Sequence, residues 1–110
     1  MSEAFIVTHD CPMPCLEVVF AKCKATERVF AVCTSCGCAW FEPQHETWAP
    51  GNLGNCVIDP KEYAPKGFVV ASHSEIRKAG FESLIIEVQD GEKWAEDFDW
   101  YSNKFCVSPA

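Results

Sequence analysis

Residues 16–33 read LEVVFAKCKATERVFAVC, and the fold turns on this stretch. Leu16–Cys23 and Arg28–Cys33 are short, apolar and rich in β-branched and aromatic residues, which favours strands at this length. Lys24–Glu27 between them is long enough for a reversal, although it lacks the Gly or Asn of a tight hairpin turn. The stretch therefore reads as an antiparallel hairpin. Thr34-Ser35-Cys36-Gly37 makes a second turn, and Cys38–Glu42 a third short strand that stops at Pro43. Ahead of the hairpin lies Cys11-Pro12-Met13-Pro14-Cys15, a stiff turn in which two prolines fix φ and cannot donate backbone hydrogen bonds.

Working outward, residues 43–60 are loop-like, with Pro50-Gly51 and Leu53-Gly54-Asn55 as breakers. Gly67–Ala71 reads as a buried strand. Residues 74–80 read as a short helix with Ser74 as N-cap and Gly80 as its stop, and Ser83–Gln89 as another strand. Asp90-Gly91 is a hairpin signal, but Trp94, Ala95, Phe98 and Tyr101 recur at helical spacing, so 92–101 is expected to be helix. The expectation is one small α+β domain over 1–110, with a hairpin subregion at 9–42 and a C-terminal β-α-β unit within 60–106.

The chain has 110 residues, a net charge of -7 and eight cysteines. That length holds one core. No apolar run reaches the roughly 20 residues of a membrane span, and no membrane partner is expected. The first residues lack a basic region and a long apolar core, so a cytoplasmic location is expected. The charge is uneven: residues 82–110 carry seven acids against Lys93 and Lys104, a net of -5. The cysteines are skewed the other way, six of the eight lying between Cys11 and Cys38. Clustered cysteines without an export signal point to metal or redox chemistry rather than to a disulfide framework.

If the hairpin pairs through 24–27, the chain leaving Cys15 and the chain arriving at Cys33 meet at the same edge. Cys11, Cys15, Cys33 and Cys36 then face one another across its open end, a donor set suited to one tetrahedral zinc ion. Turn N–H groups can hydrogen-bond the thiolates, and Gly37 allows a tight reversal. Cys33-Thr34-Ser35-Cys36-Gly37 matches the C-x-x-C-G knuckle of rubredoxin-like zinc ribbons, and residues 9–42 resemble that family. In the first knuckle, three residues instead of two separate Cys11 and Cys15, and Leu16 stands where glycine is usual. Cys38 and His9 are therefore alternative ligands. Cys23, at the other end of the hairpin, reads as a small core residue, and Cys56 and Cys106 as isolated. Four thiolates also accept iron, but nothing in the sequence points to electron transfer. The resemblance implies a structural site, closed to substrate, whose loss would melt residues 9–42.

No catalytic motif stands out, and the chain is expected not to be an enzyme. His9, His45 and His73 are scattered and read as surface residues. The sharpest alternative is thiol–disulfide exchange at Cys33 and Cys36, though their surroundings read as strand rather than the βαβ context such a site needs. Nucleic-acid binding through the ribbon is the other alternative, disfavoured because residues 1–40 hold only three basic side chains. The remaining feature is EKWAEDFDWY at 92–101, in which Trp94, Glu96, Asp97, Asp99, Trp100 and Tyr101 suit a docking surface for a basic protein. An immunity- or antitoxin-type inhibitor of a basic toxin is the specific form of that expectation, with Trp94 turned inward and Trp100 outward.

Overall fold

The computed structural model describes residues 3–9, 17–35, 37–44, 56–57 and 59–106. Six strands form one antiparallel sheet: β1 (Glu3–Thr8), β2 (Val18–Cys23), β3 (Val29–Cys33), β4 (Cys38–Trp40), β5 (Phe68–Val70) and β6 (Glu87–Asp90). The expected hairpin is its centre, with Val19 opposite Val32 and Lys22 opposite Val29. Its turn closes without glycine because Glu27 itself adopts φ 61, a conformation that costs an L-residue about 1 kcal/mol. The expected third strand is β4, paired to β3 through Cys33 and Cys38.

Strand order is β4-β3-β2-β1-β6, with β5 added to β2. β1 lies outside the expected ribbon and completes the sheet. It pairs with β2 only at Ile6 and Thr8, across an irregularity, and with β6 from Glu3 to Ile6. The other half of β2, Ala21–Cys23, takes β5. The ribbon-like strands are thus the middle of a larger sheet and not a separate unit.

Both faces of the central strands β2 and β3 are buried, which explains why they read as nearly continuous apolar runs. Alternate residues on one face, including Ile6, Val19, Phe30 and Val32, pack with Tyr63, Trp94, Phe98 and Tyr101. These come from α1 (Pro60–Tyr63) and α3 (Gly91–Tyr101). The opposite face, including Val18, Phe20, Ala31 and Cys33, packs with Ile76 of α2 (His73–Ala79) and with Leu84. Lys22 anchors α2 through a 2.7 Å ion pair with Glu75, and its ammonium holds the Glu75 carboxyl below the usual carboxylate range.

Two expectations change in detail. The N-cap of α2 is Ser72, not Ser74. Ser72 and Glu75 form a reciprocal capping box, and the S-x-x-E spacing that marks it begins at Ser72. The expected strand Ser83–Gln89 begins only at Glu87, because burial of Leu84 folds Glu82–Leu84 into a 3-10 turn. Asp90 makes no hairpin turn. Its carboxylate accepts the Glu92 N–H at 3.0 Å and caps α3, so the expected helix is present.

After α3 the chain continues as a π-helical segment, Ser102–Cys106. Buried Ser102 there ties the helix to β5: its hydroxyl accepts the Phe68 N–H at 3.0 Å and donates to the Phe68 carbonyl at 3.3 Å. Ser102→Ala leaves a buried amide unsatisfied and is expected to cost about 1–3 kcal/mol. Urea denaturation checks this, and an unchanged midpoint would show that the tie is dispensable.

Candidate functional site

The strand registers place Thr8 opposite Val18, Val19 opposite Val32, and Cys33 opposite Cys38. Thr8, Val18, Cys33 and Cys38 therefore stand in one row across an end of the sheet. The sequence between His9 and Glu17 carries Cys11 and Cys15 and joins the first two positions of this row. Cys36 lies in sequence between the last two. Cys11, Cys15 and Cys36 themselves lie outside the described residues. At the second turn Gly37 adopts φ 79 and donates its N–H to the Cys33 carbonyl at 2.8 Å, the tight reversal expected of it.

Cys33 and Cys38 are both buried on the α2 side of the sheet, and Cys56 packs against the same cluster. Cys33 ends a strand rather than heading a helix, which gives the redox alternative no added support. Cys23 and Cys106 belong to the opposite core, as expected for Cys23. Burial pushes the Cys106 thiol up to about 11, with Cys23 adding to the shift, so Cys106 stays protonated at neutral pH.

Beside the row of strand ends sits a polar cluster that the sequence did not reveal. His9 Nδ1 lies 2.8 Å from Glu17 Oε2, and His9 Nε2 lies 3.8 Å from Glu87 Oε2. The Gln89 amide donates to both glutamates, at 2.8 Å to Glu17 and 2.6 Å to Glu87. Gln89 Oε1 in turn accepts the Trp94 indole N–H at 3.0 Å. Among the described residues, His9, Glu17 and Glu87 are the one group of three metal-ligating side chains whose ligand atoms lie within 4.8 Å of one another. Their oxygens already serve as acceptors for Gln89 and His9. No motif links these residues in sequence; the pairing of β1 with β6 brings them together.

The expected docking residues divide. Trp94 and Tyr101 are buried, and they belong to the packing face of α3 rather than to its surface, because helical spacing puts them on the same stripe as Phe98. Glu96, Asp99 and Trp100 point outward, Trp100 being 56% exposed, so the inward Trp94 and outward Trp100 stand as expected. Lys104 lies over the Trp100 ring at 4.9 Å. Asp97 is half-buried and accepts a 2.8 Å hydrogen bond from the Thr34 hydroxyl. It fastens α3 to the turn that carries Cys36, a positioning role.

His73 is exposed and stacks on Phe5, with Nε2 2.6 Å from Glu82, in keeping with a surface residue; His45 lies outside the described residues. No described helix is long and apolar enough to cross a membrane. Comparison with known proteins finds no match: no family model fits the chain, and no curated protein or solved structure resembles it.

Gln89→Leu removes the amide that separates Glu17 from Glu87 and leaves the Trp94 indole unpartnered. The expected loss is about 1 kcal/mol, greater at low salt, where the two carboxylates repel unscreened. Urea titrations at low and high salt check this, and equal losses in both would show that the glutamates do not oppose each other.

Proposed function

We propose that the chain is a non-catalytic zinc-binding protein whose acidic C-terminal surface docks a basic protein partner. The observation that carries the metal half is the row Thr8–Val18–Cys33–Cys38. The residues flanking the first cysteine turn and those flanking the second stand at the same sheet end, which is what a shared ion requires. Cys11, Cys15, Cys33 and Cys36 would hold the ion, with Cys38 or His9 as alternative ligands. Four thiolates fill a tetrahedral zinc and leave no position for substrate, so the ion would supply structure and not reaction. Iron is the second choice for the same donors.

The packing limits what that ion would hold. Apolar layers clamp β2 and β3 on both faces. The expectation that losing the metal melts all of 9–42 therefore gives way to a local effect at the sheet end, where the two cysteine turns would separate.

The partner half is supported by charge and exposure. Of the seven acids of 82–110, six lie on β6 and α3 and Glu82 pairs with Arg77 beside α2; Glu92, Glu96 and Asp99 are exposed on α3, the last two beside Trp100. An acidic rim around an exposed aromatic speeds encounter with a basic surface and gives it an anchor. An immunity- or antitoxin-type inhibitor of a basic toxin is the specific form of this reading.

Asp97 is unsuited to testing it because its carboxylate holds Thr34. The test is affinity capture from an extract of the source cells with the unaltered protein, with Glu96→Lys/Asp99→Lys, and with Glu42→Lys as a control beside α2. A basic protein retained by the first and third but lost by the double variant is the expected result. Equal retention by the double variant at low salt would contradict the reading.

A further inference from the structure

β6 ends the sheet: β1 occupies one of its edges, and no described strand occupies the other. Ile86, just before it, and Val88 within it are 56% and 49% exposed. An unpaired edge strand presents outward N–H and C=O groups as a template for pairing, and exposed aliphatic residues add to its tendency to be covered.

Charge decides what can cover it. Glu87 and Asp90 are exposed, and Glu3 of β1 lies opposite Asp90. Antiparallel pairing of two copies about the centre of β6 would set Glu87 against Asp90 twice, opposing like charges at both ends of the added ladder. The same edge favours a strand with a basic residue beside Glu87 and aliphatic residues beside Ile86 and Val88.

We propose that the outer edge of β6 accepts an extended, basic segment of the partner protein as an added strand. The proposal rests on the reading of a basic protein partner and assigns that partner a place and a mode of binding. Main-chain hydrogen bonds would supply affinity, the carboxylates would select positive charge, and Ile86 with Val88 would select aliphatic residues at alternate positions. The acidic face of α3, which follows directly from Asp90, would steer the segment toward the edge.

The experiment is a titration of the isotope-labelled full chain, at low salt, followed by amide resonances. The probe is a capped peptide of alternating arginine and valine. Two further versions are N-methylated, one at the arginines and one at the valines, which keeps charge but removes the amide donors along one peptide edge. The expected result is that the plain peptide shifts amides of 86–90 and of β1, and that one methylated version binds at least about tenfold more weakly than the other. Equal binding of both methylated versions, or shifts confined to 96–105, would overturn strand addition while leaving a basic partner on α3. No shifts with the plain peptide would overturn both the added strand and the basic-partner reading.

Discussion

The register of β2 against β3, with Val19 opposite Val32, is the constraint on which the rest of this structure depends. In an antiparallel pair, register fixes both which side chains share a face and which residues share an end. Here it sends Phe30 and Val32 toward α3, and Val29, Ala31 and Cys33 toward α2. The same register levels Cys33 with the start of β2, and hence with the end of β1. A slip of one residue would exchange the faces and turn Cys33 away from the cluster it shares with Cys38.

The sheet end and the acidic helix are mechanically joined. Thr34 in the second cysteine turn donates to Asp97, and Gln89 at the end of β6 links the Trp94 indole to Glu17 at the start of β2. An ion that held the cysteine turns would therefore also steady the near side of α3. The outward residues of that helix, Glu96, Asp99 and Trp100, ride on a base fixed from two directions. Such coupling would let a closed metal site support a binding surface.

Much of this was legible in the sequence. The hairpin, the turn at Gly37 and the strand at Cys38 followed from β-branched runs and breakers, and α3 followed from the spacing of Trp94, Phe98 and Tyr101. β1 carries no pairing signal beyond the strand-like composition of EAFIVT, because its fuller partner, β6, lies far away in sequence. β6 starts at Glu87 and not at the expected Ser83 for a tertiary reason: Leu84 is drawn into the core, leaving Ile86 and Val88 exposed. At the site, Cys33, Cys38 and Gly37 declared themselves by spacing. Gln89, Glu17 and Glu87 are single polar residues with no motif, and only the sheet unites them.

A closed metal site at the sheet end that holds Cys33 and Cys38 is the core of the proposed function. Native mass spectrometry of protein purified without added metal, with a thiol count on the same sample, tests it most directly. One tightly bound zinc and no disulfide is the expected result, with the ion lost in Cys33→Ser and kept in Cys23→Ser. A metal-free protein carrying a Cys33–Cys36 disulfide would contradict it and make thiol exchange the chemistry of this end.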